Sequence, residues 1–284
     1  MGLRIQNNVE AFNAHRQLST TASKAAKSME KLSSGYRVNR AADDAAGLAI
    51  SEKMRAQIGG LNQAQRNVQD AISLVQTGEG ALNEVHSMLQ RVRDLRVQYA
   101  NGTLEAGDKT AISAEVQQLG KEISDITTKT EFNGVGLLTG GTVTFQVGAD
   151  TADTISLTKT EMSAAVGTAG TGGLKDIIDI GGAVSSAAAD TAFAALSIDT
   201  IDEAIKNVSN ARSTFGAVQN RLEHRMNNLA TYQENLVASE SRIRDVDMAS
   251  EMVNFTKLGI LQQAGTSMLA QANMSPQGVL ALLR

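Results

Sequence analysis

The sequence predicts a mainly α-helical protein, a long antiparallel coiled-coil-like helix bundle with a small β-hairpin region. Three observations carry this. Stepping by seven from Ile201 reaches Val208, Phe215, Leu222, Leu229, Leu236 and Ile243, every one apolar among polar neighbours. A second row of the same period runs Met54, Leu61, Val68, Val75, Leu82 and Leu89. Such a repeat keeps one helical seam turned to a partner helix, because a coiled coil closes at about 3.5 residues per turn. The third observation is that the only proline is Pro276, so no helix breaker interrupts the interior. At ~1.5 Å per residue the first row alone spans roughly 60 Å. Its second seam position is expected at Ile205 and Met226, interrupted by Arg212, Gln219, Gln233 and Glu240.

Composition narrows the function. The 284 residues are 42% hydrophobic but only 3% aromatic, without Trp. Small side chains suit close helix packing better than a thick globular core. A net charge of −4 argues against a general nucleic-acid binder. Cysteine is absent, which excludes a disulfide frame, a thiol nucleophile and a Cys-ligated metal. No apolar run is long enough to span a membrane, so no membrane insertion is expected. The start, Met1 to Asn8, lacks the apolar core of a signal peptide. By these rules alone the protein reads as cytosolic.

Taken in order, residues 1–34 predict a polar, Ala-rich helix. Val9 and Phe12 give one apolar turn, and Ala22, Ala25, Met29 and Leu32 another. Such a helix is marginal alone and needs a partner. Ser33-Ser34-Gly35 is its stop, and Asp43 or Asp44 caps the next helix, which runs to about residue 100. Gly59-Gly60 and Gly78-Glu79-Gly80 inside it read as bends or close contacts, not phosphate loops. A third helix over 109–129 carries Ile112, Val116, Leu119, Ile123 and Ile126. Phe132-Asn133-Gly134 signals a turn. Val143–Val147 alternates as a strand with Thr154–Leu157 as its partner, a hairpin around 140–160. The Gly/Ala/Ser/Thr-rich stretch around 160–195 reads as a short irregular segment. The last segment places Met248, Met252, Phe255, Leu258, Leu261, Met268 and Leu269 on one face. It closes on Val279, Leu280, Ala281, Leu282 and Leu283, a terminus that is usually sticky or buried.

A specific combination of motifs then resembles one family. Leu32-Ser33-Ser34-Gly35-Tyr36-Arg37-Val38-Asn39, followed by Ala41-Ala42-Asp43-Asp44-Ala45-Ala46-Gly47-Leu48-Ala49-Ile50, is similar to the N-terminal signature of bacterial flagellin. Gln90-Arg91-Val92-Arg93-Asp94-Leu95 and Phe132-Asn133-Gly134 resemble later parts of it. Ser241-Arg242-Ile243-Arg244-Asp245-Val246-Asp247-Met248-Ala249 and the Leu-rich end resemble its C-terminal region. The likeness covers about 1–160 and 196–284, and the large outer domains of many flagellins have no counterpart here.

The resemblance implies paired N- and C-terminal helices. It implies an inner domain of residues 1–44 with 241–284 and a rod domain of residues 45–240. It implies a structural subunit that polymerises with itself into a flagellar filament for motility. The polymerising residues would be Val9, Phe12, Met29, Leu32, Met252, Phe255, Leu258, Leu261, Met268, Leu280, Leu282 and Leu283. It also implies export through the flagellar channel without a cleaved signal, with a chaperone, a filament cap and hook–filament junction proteins as partners. Host recognition by a Toll-like flagellin receptor would use Gln90, Arg91, Leu95 and, on the next helix, Glu115. Arg91 and Leu95, four apart, share a helix face. Leu95 lies off the Leu82–Leu89 row and is expected to be free of the core.

Chemistry is otherwise sparse. His15, His86 and His224 have no ligating or catalytic spacing, and paired Asp43-Asp44 lack a third acid, so capping is their better reading. Arg91, Arg93 and Arg96 form a basic patch without interleaved aromatics, a protein-facing or solvated surface rather than a nucleic-acid site. No cofactor and no enzymatic activity are expected. The competing readings are an enzyme, which needs a convergent polar pocket, and a hook–filament junction protein or coiled-coil effector, which would share the terminal helices. The seam itself makes a prediction. Truncating a core Leu costs about 2–5 kcal/mol, so Leu222→Asp should unfold the rod while Asn220→Asp leaves thermal melting by circular dichroism nearly unchanged.

Overall fold

The computed structural model describes residues 8–161, 174–183 and 186–282. The chain divides into two compact units, Met1–Ile58 with Glu234–Arg284, and Gly59–Gln233. The division falls inside two long helices.

The first unit holds α1 (Val9–Ser34), the start of α2 (Ala45–Tyr99), the end of α6 (Ile198–Arg244) and α7 (Met248–Leu282). Asn8 caps α1, its side-chain oxygen accepting from the Ala11 N–H at 3.0 Å. Gly35 ends α1 in the left-handed region, φ 75°, donating to the Lys31 carbonyl at 2.9 Å. Asp44, not Asp43, caps α2 by accepting from Gly47 N–H at 2.8 Å. Asp43 instead closes the preceding turn. The backbone N–H of Arg40, aided by that of Asn39 and by Lys27 and Lys31, holds its carboxyl below the usual carboxylate range.

The second unit is built on the rest of α2 and α6. Their antiparallel pairing is fixed by Gly78 beside Phe215, by Arg93 with Asp202 at 2.7 Å, and by Gln233 donating to Asn62 at 2.9 Å. On α2 the buried row is Leu61, Ala64, Val68, Ala71, Val75, Gly78, Leu82, Val85 and Leu89. On α6 it is Ile201, Ala204, Val208, Ala211, Phe215, Val218, Leu222 and Leu229. The expected second seam position is therefore corrected. Ile205 and Met226 are only half-buried, and Arg212 and Gln219 interrupt nothing. A heptad seam alternates steps of three and four. From Ile201 the step of three comes first, so Ala204, Ala211 and Val218 fill the row.

Helix α3 (Ala106–Lys129) buries Ile112, Val116, Gly120 and Ile123. Two hairpins follow it. Strands β1 (Glu131–Phe132) and β2 (Val135–Gly136) flank Asn133 and Gly134, whose φ values of 50° and 77° make the turn that suits a two-residue hairpin. Strands β3 (Thr139–Gln146) and β4 (Thr154–Glu161) pair antiparallel, with Val143 opposite Leu157 and Phe145 opposite Ile155. This hairpin is tied to both long helices. Asn67 donates to the Gln146 carbonyl at 3.1 Å, and Arg225 donates to the Val147 carbonyl at 3.1 Å and pairs with Asp153 at 2.8 Å.

The expectation of an irregular stretch over 160–195 is overturned for the residues described. It contains α4 (Leu174–Gly181) and α5 (Ser186–Ala195), both packed on α3. Leu174, Ile177, Ile180, Ala189 and Phe193 are buried there. The turn composition hid a few apolar residues at helical spacing. Gly120 and Gly181 let the two backbones touch, since a Cβ on Gly120 would strike the Ile177 carbonyl.

The two glycines of Gly78-Glu79-Gly80 face different surroundings. A Cβ on Gly78 would run into the buried Phe215 ring, whereas one on Gly80 meets nothing. Overpacking costs about 1–3 kcal/mol, and replacing a helical Gly with Ala gains up to ~1 kcal/mol. Gly78→Ala should therefore lower the melting temperature and Gly80→Ala should raise it, measured on the same full-length chain.

Candidate functional site

In α1 and α7 the pairing face is mostly small side chains, with a few large ones, Leu18, Leu32, Phe255, Leu258 and Leu269, among them. Asn8 donates to the Ala272 carbonyl at 2.7 Å, Leu18 lies against Gly265, and the buried Ser28 hydroxyl donates to the Glu251 carboxylate. These three pairs set the helices antiparallel. Between them Ala11, Ala14, Ala22, Ala25 and Leu32 of α1, and Phe255, Leu258 and Leu269 of α7, are half-buried. Close approach follows from size, for a Cβ on Gly265 would come within 3.2 Å of Leu18.

Other large apolar side chains point away from this face. Val9, Phe12 and Met29 of α1 are exposed, Phe12 at 70%. On α7, Met248, Met252, Leu261 and Met268 are exposed, as are Val253 at 70% and Ile260 at 64%. Met252, Val253, Thr256, Lys257, Ile260 and Leu261 line a shallow, mostly apolar groove of about 560 Å³. So the expected single face on α7 is two faces. Phe255, Leu258 and Leu269 turn inward with Leu32, while Met248, Met252, Leu261 and Met268 turn outward. The side chains of Leu280, Leu282 and Leu283 lie outside the described residues.

The segments entering and leaving this pair are stapled together. Arg37 N–H donates to the Arg244 carbonyl at 2.6 Å, Val246 N–H donates to the Gly35 carbonyl at 3.0 Å, and Tyr36 bridges Asp245. The Arg244 guanidinium sits 4.8 Å over the Tyr36 ring and pairs with Glu52 at 2.6 Å. The two sequence stretches around Gly35 and Arg244 thus meet in space. Nothing in their spacing forecasts that contact.

The other candidate patch lies on α2 and α3. Arg91 meets Glu115 across the two helices, at 2.7 and 2.9 Å to one carboxylate oxygen, both side chains about half exposed. Gln90 is exposed beside them and meets His86 at 3.0 Å. Leu95 does not join this surface. It is buried at 2% exposure, which corrects the expectation that it is free of the core. At this end α2 is covered on more than one side. Arg91 reaches α3, Arg93 reaches α6, and Arg96 donates to the Leu196 carbonyl at 2.6 Å just beyond α5. The row thus keeps its step of seven from Val85 to Val92, and Leu95 is buried in addition to it.

Sequence reading also missed the cluster around Tyr99. Its ring meets Phe193 edge-on at 5.2 Å, carries Arg96 and Lys109 at 5.4 and 5.5 Å, and its hydroxyl donates to Asp190 at 3.0 Å. Burial, then that bond, raises the phenol's pKa. His224 lines an open, mixed cavity of about 440 Å³ with Arg221, Arg225 and Asp153. Among the described residues no three His, Cys, Asp or Glu converge to hold a metal, and no helix is long and apolar enough to cross a membrane.

Comparison with known proteins places these features. Residues 5–142 match the family described as the bacterial flagellin N-terminal helical region, and residues 198–283 the C-terminal helical region. A flagellin of Halalkalibacterium halodurans is 54% identical, covering 99% of both chains. A flagellin of Bacillus subtilis is 50% identical, covering 99% of this chain and 100% of the other. Among solved structures, a putative flagellar hook-associated protein from Vibrio parahaemolyticus aligns with a TM-score of 0.58 at 17% identity, covering 72% of this chain and all of the other, a likeness of fold alone.

Proposed function

The chain belongs to the bacterial flagellin family, and on that premise we propose that it is the structural subunit of a flagellar filament, an extracellular helical homopolymer that serves motility. The observation that carries this reading is the outward apolar surface of the terminal pair. Side chains as large as Phe12, Val253, Ile260 and Met268 stand exposed along it. Burying one such side chain stabilises by roughly 1.5–3 kcal/mol, and a second copy of the same surface supplies the cover. Residues of the pairing face, Leu32, Phe255 and Leu258, hold the pair that presents it. By the same premise the chain leaves the cell through the flagellar secretion channel without a cleaved signal, and an export chaperone, a filament cap and hook–filament junction proteins are its further partners.

Ile260→Asp tests assembly. It should leave the helicity and melting of the monomer unchanged and abolish sedimentable polymer at concentrations where the parent assembles. A chain lacking residues 1–34 and 250–284 should likewise stay a soluble helical monomer. Polymer formed by both at the parent's critical concentration would refute the reading.

We also propose the Gln90, Arg91 and Glu115 surface as a contact for a host Toll-like flagellin receptor. Arg91 offers a planar charged fork, the residue type enriched at interface centres, and Glu115 holds it in place. Leu95 acts from beneath by packing. In binding of monomer to the receptor ectodomain, Arg91→Ala and Glu115→Ala should weaken affinity while Lys175→Ala does not. Leu95→Ala should lower the melting temperature together with affinity. Equal affinity in all four would remove the patch.

A further inference from the structure

Two Asn-Gly pairs occur in loops of the second unit, and the fold treats them differently. Asn133-Gly134 is the tight turn between β1 and β2. Both residues have positive φ, and the pair is held on each side by the register of Phe132 with Val135. Asn101-Gly102 lies beyond the end of α2, exposed, and no strand pairing holds it. The Asn101 side-chain oxygen there accepts from the Thr103 N–H at 3.3 Å. That bond closes a small ring of the Asx-turn type around Gly102. It polarises the Asn101 side-chain carbonyl, whose carbon is the one the adjoining Gly102 nitrogen can attack in a five-membered ring. Among the described residues the Gly102 N–H makes no recorded hydrogen bond, so the nitrogen is available.

We propose that Asn101 is a self-modification site at which the exposed α2–α3 loop converts its own amide to a carboxylate. Hydroxide removes the Gly102 amide proton, and the nitrogen attacks Asn101 Cγ. The C–N bond of the side-chain amide breaks, ammonia leaves, and a five-membered succinimide forms. Water then opens either carbonyl of that ring and yields aspartate or isoaspartate. The sum is one amide and one water giving one acid and one ammonia, with no enzyme or oxidant. At Asn133 the same attack requires the turn to leave its positive-φ conformation and part Phe132 from Val135, a local opening that the free loop does not need. The product carboxylate stands just past the C-terminus of α2, the end where negative charge is unfavourable. A subunit modified in this way frays at that helix end as it ages.

The structure also supplies a clean control. A Cβ at Gly102 meets nothing, and its φ is not positive, whereas Gly134 needs glycine at φ 77°. Gly102→Ala therefore blocks close approach to the nitrogen without disturbing the fold. The full-length chain is held in mildly alkaline buffer, digested, and mapped by mass spectrometry that separates aspartate from isoaspartate. Acid should accumulate at position 101 at least an order of magnitude faster than at 133 in the folded chain, and the two rates should converge in denaturant. Gly102→Ala should slow the reaction at 101 by a similar factor with the same melting curve. Equal rates at 101 and 133 in the folded chain, a difference that persists in denaturant, or an unchanged rate in Gly102→Ala would each overturn the proposal.

Discussion

The seam between α2 and α6 is the interaction on which the second unit depends. Its rows alternate large and small side chains, Leu82 and Phe215 against Gly78, Ala204 and Ala211. Large residues supply most of the free energy, since apolar area removed from water is worth about 25 cal/mol per Å². Small ones decide how closely the axes approach. The hairpin rests on this pair through Asn67 and Arg225, one anchor on each helix. Helix α4 reaches the unit through α3, where Gly120 and Gly181 allow backbone contact, and α5 packs on α3 and meets α2 at Tyr99. Each added element thus docks where a residue of the long helices is either small or able to donate a hydrogen bond.

The terminal pair uses the opposite allocation. Its inner face is mostly Ala, Ser, Thr and Gly, so it buries little apolar area per residue. Two long helices with such a seam are weakly held, and isolated helices are marginal in water. The larger side chains are kept outside. On the proposed function, stability of the pair and the drive to polymerise are linked in one arrangement. A tighter intramolecular pair would have less apolar surface left to offer.

The structure of the segment between α1 and α2 explains why its sequence looks so specific. Gly35 supplies the left-handed turn, Tyr36 the ring under Arg244, and Asp43 and Asp44 the closing of a turn and the cap of α2. They fix four helix ends with hydrogen bonds that few other residue types can make.

What the sequence by itself determined was everything that repeats. The period-seven rows, a cap for α2 at Asp43 or Asp44, the hairpin between Val143 and Leu157 and the turn at Asn133-Gly134 are all local patterns with one physical meaning. The motifs around Gly35 and Arg244 were enough to indicate the family. The tertiary structure alone decided which way each side chain faces when several elements converge. Leu95 is buried because α3, α5 and α6 meet around the end of α2, and Ala204 rather than Ile205 faces the seam because the partner's position selects the row. Phe12 and Met268 are exposed although they lie among apolar residues, because small side chains already fill the contact. Helices α4 and α5 were hidden in a turn-like composition, since their few apolar residues are buried by neighbours, α3 above all, that lie outside each short stretch. Burial depends on neighbours brought from a distance in the chain, and a one-dimensional pattern contains the period of a helix but not the identity of what covers it.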